Sequence, residues 1–482
     1  MPEFPAPAEL LSRVAHLPLN TDPQGTVDVV NPATQKILAV MTIAGPAIVD
    51  VAVSSARQAA SGWVDAGPVG RRTALRTISA RIRQHAEILA KTITLEHGRP
   101  LTDARSEVHG AADLVEMYAE LAVAHQSGFR GAGTGELVFH RLEPWGVAAC
   151  VTPWNYPLMA VLNLVAPALA AGNTVVLKPS EKTPTSAVLL VERCTDHLPP
   201  GVLNIVLGTG EMTGNALVRH PDVDLIALTG SVATGRYVNE LAGKNLKKAI
   251  LELGGKDAMI VDDTVDIHVA ARMAAQAAFE NSGQICTSIE RIYVHEAVED
   301  EFVAELVAEA AAWQVGDGLD DGVRMGPVID QAQLDRIVDH VDSAVAAGAV
   351  AAYGGRRIDR PGYFFPPTVL TDVPSSMPVL SDETFGPVAP VVSVRSFEEA
   401  IHRANESEYG LGAMVLTRDS GHAMLAIERL QVGLVKINAM RGRIPGTSAE
   451  PAGVSGIGVG YGPDALREFT RQKSVQWKAT PE

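Results

Sequence analysis

Cysteine is scarce in this chain: three thiols, Cys150, Cys194 and Cys286, stand far apart among 482 residues. An odd, scattered set is no disulfide framework; it fits a reducing compartment, so a cytoplasmic location is expected. Paired histidines, HExxH and CxxC spacings are missing too, and no metal site is expected. Neither a GxSxG elbow nor a GxxxxGK[ST] loop occurs, which removes the motifs of serine hydrolases and P-loop proteins. Basic residues are in deficit, 40 Lys and Arg against 56 Asp and Glu, a net charge of −16. Nucleic acid is therefore no expected partner, because phosphate binding needs clustered cations. The opening MPEFPAPAELLSRVAH has no basic stretch leading into an apolar run, and no signal peptide is read from it.

Charge disappears altogether from Gly146 to Leu177, GVAACVTPWNYPLMAVLNLVAPALAAGNTVVL. The length suits a bilayer crossing. Three prolines (Pro153, Pro157, Pro167) and three asparagines (Asn155, Asn163, Asn173) would, however, leave polar groups unsatisfied in lipid. The stretch instead predicts strand, turn, buried helix and strand, a soluble β-α-β unit with no membrane partner.

What is present reads as an α/β protein of two or three domains. Amphipathic helices run from about Val49 to His97, the last one stopped by Gly98 and Pro100, and another covers about Asp103 to His125. Strand–helix alternation continues through TVVLKP, LNIVLG, LIALTG and AILELGG, each strand ending in Gly, Pro or a polar residue. A second series begins after Gly255, with a helix expected to close at Gly283 and another carrying Phe302, Val303, Leu306 and Val307 on one face. The tail ALREFTRQKSVQWKA predicts a short helix and a strand without a local partner, suited to pairing with a neighbouring subunit.

Several residues have chemical potential. Cys286, in ENSGQICTS, sits among small and polar neighbours that leave room for a ligand, although most unpaired cysteines are buried filler. Glu252 closes an apolar strand before Gly254 and Gly255; it suits a general base or a salt-bridged strand end. Asn155, between the prolines of TPWNYP, suits an oxyanion donor or a turn residue bonding its own loop. Lys178 and Glu181 follow a strand where a cofactor ribose would lie, or where a plain surface loop would. LGTGEMTG, containing Gly210, has GxGxxxG spacing, and LTGSVATG (Thr229, Gly230, Ser231) offers a strand-to-helix turn for a pyrophosphate.

Taken in order, TPWNYP, LKPSEKTP, LTGSVATG, ELGGKD, GQICTS and ETFGPV resemble the NAD(P)-dependent aldehyde dehydrogenase superfamily, from about VVNPATQK to REFTRQKSV. The separation of Glu252 from Cys286 along the chain fits that family as well. The resemblance implies an aldehyde dehydrogenase-like α/β fold: a Rossmann-type dinucleotide-binding domain (1–125 and 146–254), an α/β catalytic domain (255–445) and a small β oligomerisation arm (126–145 and 464–482). It implies Cys286 as nucleophile, Glu252 as general base and Asn155 as oxyanion donor. Trp154, Lys178, Glu181, Gly210, Thr229, Gly230, Ser231, Glu383 and Phe385 would face the cofactor, NAD by virtue of Glu181, with NADP possible. Tyr156, Ala160, Asn163, Ile285 and Thr287 would flank the substrate, a small-molecule aldehyde. A homodimer or homotetramer is implied.

The implied reaction oxidises the aldehyde to a carboxylic acid through a cysteine thiohemiacetal and a thioester. Two features depart from the family pattern: EPAGVSGIGVGYGP replaces a PFGGxxxSG-type motif at the substrate entrance, and LTGS replaces FTGS. Competing readings are a CoA-acylating member, which would tend to lack the base that Glu252 supplies, and a cofactor-independent thiol esterase. The esterase leaves Lys178, Glu181 and Glu383 unexplained, and a non-catalytic scaffold would not need Cys286, Glu252 and Asn155 together.

Overall fold

The computed structural model describes residues 8–19, 24–124, 136–440 and 446–478. The Gly-rich part of the expected arm (126–135), the end of the expected catalytic domain (441–445) and the last residues of the chain (479–482) lie outside them.

Four helices, Pro46–Asp65, Gly67–Gln84, Ala86–His97 and Leu101–Ala124, precede and pack against the first of two large sheets. Its parallel strands lie in the spatial order Lys248–Glu252, Leu225–Thr229, Val147–Val151, Thr174–Lys178 and Leu203–Ile205. The chain thus builds outward from Val147–Val151 in one direction, then returns to its other flank. Such a reversal parts the loops at the carboxyl ends of the strands and opens a crevice between them.

The uncharged run supplies the centre of this sheet: strand Val147–Val151, helix Met159–Ala171 and strand Thr174–Lys178. Eleven of the thirteen helix residues are buried, and a helix enclosed on nearly all sides has no polar face to carry charge. Gly172 stops it at φ 98°, a left-handed conformation that costs glycine little.

The second sheet runs Thr368–Thr371, Val388–Val394, Ile289–His295, Asp257–Val261, Gly412–Leu416, Leu434–Ile437, all parallel, with antiparallel Val350–Tyr353 at one edge. Helix Glu299–Ala311 buries Phe302 and Leu306 against it, with Val303 and Val307 at the margin of the core. The chain then reaches back: Gly456–Ile457 joins the first sheet beside Leu251 and Glu252. The tail strand Thr470–Lys478 pairs antiparallel over its full length with Glu136–Pro144, so a strand of its own chain takes the place expected for a neighbouring subunit. Among the described residues no helix is long and apolar enough to cross a membrane.

Candidate active site

The helix Ile267–Phe279 ends four residues before Gly283, where the sequence predicts its close. The cause is a left-handed turn: Asn281, Ser282 and Gly283 have φ of 54°, 57° and 71°. For the two non-glycine residues this costs about 1–2 kcal/mol each, so neighbours must hold them. Asn281 Nδ2 donates to the carbonyls of Asn155 and Gln284, both at 3.2 Å, and Ser282 Oγ donates to the Gly326 carbonyl at 2.9 Å. Gln284 Oε1 accepts from the Ile329 amide at 2.9 Å. At Gly283 a Cβ would stand 2.0 Å from the Gly386 carbonyl oxygen, so only glycine fits. The turn delivers Cys286, half-buried and in no disulfide. Cys150 and Cys194 are enclosed, and burial pushes both thiols up, Cys194 to about 12.

Asn155 comes from the loop that leaves Val147–Val151 at the strand reversal. Its Nδ2 donates to the Gln284 carbonyl at 3.0 Å, two residues before Cys286. A side-chain amide has two hydrogens, so a second donor remains for a ligand. Beneath it lies a pair the sequence does not flag. Buried Arg99 donates to the Asn155 carbonyl at 3.0 Å and to Asn281 Oδ1 at 3.2 Å, and it forms an ion pair with buried Glu107. Glu107 in turn accepts from the amides of Leu158 and Met159, both at 3.0 Å. One network thus ties the loop of one sheet to the cysteine turn of the other.

Glu252 ends its strand 8% exposed, and Oε1 accepts from the Gly460 amide at 3.0 Å. A Cβ on Gly460 would stand 2.2 Å from Glu252 Cγ. The atypical Gly-rich stretch therefore runs directly against Glu252, with Ser455 Oγ buried and accepting from the Gly410 amide at 3.0 Å. The following turn touches two other elements of the site. A Cβ on Gly255 would meet the Cys286 carbonyl oxygen at 2.2 Å, and its amide donates to Glu383 at 3.1 Å.

The expected cofactor residues line the carboxyl rim of the first sheet. Thr229 and Gly230 are half-exposed, and Ser231 caps helix Val232–Lys244 by accepting from the Thr234 amide at 3.2 Å. Such a helix start attracts anions. Lys178 is buried and donates to the Pro179 carbonyl at 2.8 Å and to Glu181 at 3.3 Å, while Glu181 stays half-exposed. Gly210 opens a short π-helical turn, Gly210–Gly214, with open space around it. Trp154 stacks on His97 and meets Phe385 edge-on, with centroids 5.4 Å apart.

Phe385 sits at φ 53°, held by a second buried pair, Lys256 and Glu290, 2.6 Å apart. Glu290 accepts from the amides of Thr384 and Phe385 at 2.7 and 2.8 Å. Burial, with the charge of Glu290 nearby, pushes the Glu383 carboxyl up to about 7. The crevice thus combines the start of helix Val232–Lys244, the carboxylates of Glu181 and Glu383 and two aromatic rings, a set of groups that fits a dinucleotide. Among the described residues no cluster of three potential metal ligands occurs. Of the expected substrate residues, Tyr156, Asn163 and Thr287 are half-buried; Ala160 and Ile285 are 6% exposed and offer a ligand little surface.

The chain as a whole is similar to known proteins. A family model described as the aldehyde dehydrogenase family matches residues 20–475. The chain belongs to the aldehyde dehydrogenase family. NAD(P)-dependent oxidation of an aldehyde is accordingly its reaction class. A mitochondrial aldehyde dehydrogenase from Leishmania tarentolae is 37% identical over 455 residues, covering 94% of this chain and 91% of its own. The crystal structure of lactaldehyde dehydrogenase from Escherichia coli superposes with a TM-score of 0.96 at 34% identity, covering 98% of this chain and all of the other. An aldehyde dehydrogenase from Bacillus cereus, solved as its NAD+ complex, gives 0.95 at 32% identity, covering 98% and 97%.

Proposed function

We propose that Cys286 attacks the aldehyde carbon, that Asn155 holds the resulting oxyanion, and that Glu252 activates the water that releases the acid. The carrying observation is the bond from Asn155 Nδ2 to the Gln284 carbonyl, which fixes a donor beside the cysteine turn. The thiolate of Cys286 adds to the carbonyl carbon, and the second Asn155 N–H, with the Cys286 amide, meets the charge that develops on oxygen. The nicotinamide, when bound, supplies the acceptor for the hydride that the aldehyde carbon loses. Glu252 then takes a proton from the water that cleaves the Cys286 thioester. Its presence favours water over CoA as acyl acceptor.

For the cofactor, the start of helix Val232–Lys244 at Ser231 suits the pyrophosphate, Lys178 and Glu181 the adenosine ribose, Glu383 the second ribose, and Trp154 with Phe385 the nicotinamide side. The half-exposed carboxylate of Glu181 repels a 2′-phosphate, so NAD is the preferred form. Residues 1–125 and 146–254 act as the dinucleotide-binding domain and 255–445 as the catalytic domain. The two-stranded ribbon of Glu136–Pro144 and Thr470–Lys478 is mostly exposed on the tail strand, and an isolated ribbon is marginally stable. It suits an arm docked on a second copy in a cytoplasmic homodimer or homotetramer.

The test is reduced-cofactor formation, read by near-ultraviolet absorbance, across aliphatic, aromatic and polar aldehydes, with NAD and with NADP. Turnover by the wild type and none by Cys286→Ala is expected, with NAD binding intact in the variant. Oxidation by Cys286→Ala would overturn the covalent route.

A further inference from the structure

An ion pair crosses the seam between the two large sheets beside the rings of Trp154 and Phe385. Lys182 stands in the loop that leaves strand Thr174–Lys178 of the first sheet. Its ammonium lies 2.5 Å from Asp330 Oδ2 and over the Trp154 ring, 5.4 Å from the centroid. Thr183 Oγ1 donates to the Trp154 carbonyl at 3.3 Å, which ties the same loop to the Trp154 backbone. Asp330 belongs to the other side. It caps helix Gln331–Ala346, which shares a core with Leu370 and Val388 of the second sheet, and its Oδ1 accepts from the Gln333 amide at 2.9 Å. Gln333 Nε2 donates to the carbonyls of Thr384 and Phe385, both at 2.9 Å. The residue before Asp330, Ile329, gives its amide to Gln284 of the cysteine turn. The pair therefore connects the wall that carries Trp154 to the wall that carries Phe385 and Cys286.

Its exposure separates it from Arg99–Glu107 and Lys256–Glu290. Those side chains are at most 2% exposed, whereas Lys182 and Asp330 are 36% and 31% exposed. A pair open to water is weak and screened by salt, so it breaks and reforms without disturbing a core. A helix start repels a cation, so Lys182 owes its place to the Asp330 carboxylate and to the face of the indole. Resting on the cofactor placement above, we propose that Lys182 and Asp330 are a latch, two positioning residues that close the seam beside the nicotinamide end of the dinucleotide and slow the departure of the reduced cofactor. Trp154 and Phe385 come from opposite sides of that seam and meet edge-on. A ring lodged beside them leaves when the two sides part, and the ion pair opposes the parting without touching the cofactor.

The experiment follows NADH release by its fluorescence, after rapid mixing of the NADH-loaded protein with excess NAD and no aldehyde. Wild type is compared with Lys182→Met, Asp330→Asn and the double variant, at about 0.05 and about 0.5 M salt. Methionine keeps an apolar stem on the indole, and asparagine keeps the helix cap. Either single change is expected to speed release about threefold, and the double change no more than either alone. Added salt should speed release from wild type more than from any variant. Wild-type release from either single variant, additive effects in the double variant, or an equal salt effect in all four proteins would each overturn the latch. Additivity would mean that Lys182 meets the cofactor directly. A wild type that binds no NADH would overturn the cofactor placement, and the latch with it.

Discussion

The guanidinium of Arg99 and the carboxylate of Glu107 are buried side by side, and between them they position both the Asn155 loop and the Cys286 turn. Arg99→Met would leave Glu107 charged and unpaired, a loss of about 3–5 kcal/mol. Thermal melts should show the fall, and kcat should drop while NAD affinity holds. The double change Arg99→Met with Glu107→Leu should recover the melting temperature but not kcat. Wild-type kcat in either variant would mean that the pair supports the fold alone.

Glu383 gives a pH dependence with a definite sign. Its carboxyl loses its proton only near 7, and ribose hydroxyls are held best by the ionised form. KM for NAD should therefore fall as pH rises from about 6 to about 8, and this trend should vanish in Glu383→Gln. Stability moves the other way. A carboxyl raised above its ordinary value contributes fully at low pH and loses that contribution as pH rises through about 7. Denaturant titrations should thus find Glu383→Gln gaining on wild type toward about pH 8.

Thiol reactivity should be confined to one site. Cys150 and Cys194 are enclosed and held protonated, whereas Cys286 is half-buried at the turn. Brief iodoacetamide treatment of the native protein should add one label, at Cys286 by peptide mapping, with activity lost in proportion. Labelling of all three should require denaturant.

Gly460→Ala probes Glu252 without altering it. The new methyl carbon would overlap Glu252 Cγ, forcing the carboxylate from its bond to the Gly460 amide. Rapid-mixing kinetics should retain a burst of reduced cofactor, followed by a steady state slowed by at least about tenfold. Loss of the burst itself would place Glu252 before acyl transfer rather than after it.

Much of this was legible in the sequence because local rules govern it. The charge-free run with its prolines foretold a buried β-α-β unit, and the order of short motifs identified the family. The buried pairs were not legible. Arg99 sits in the short link between two helices and Glu107 in the helix that follows, and their burial follows from packing against segments remote in sequence. Lys256 is visible inside ELGGKD, but its partner Glu290, on the next strand of the second sheet, carries no spacing signal. The helix expected to reach Gly283 stops at Phe279 because Asn281 and Ser282, both weak helix formers, are held in a left-handed turn by bonds to distant carbonyls. The tail strand finds its partner in Glu136–Pro144, far back along the chain and beyond the reach of any local rule.

The cysteine turn also has a consequence for how the protein comes into being. Asn281 is gripped from the loop of one sheet, Ser282 from the Gly326 carbonyl, and Glu252 is met by the amide of Gly460, which is synthesised long after either. A polypeptide still emerging from the ribosome accordingly lacks the amide that holds the Glu252 carboxylate in place. On the roles proposed above, the base that frees the acid is therefore the last part of the site to be set, when that late segment has closed over it.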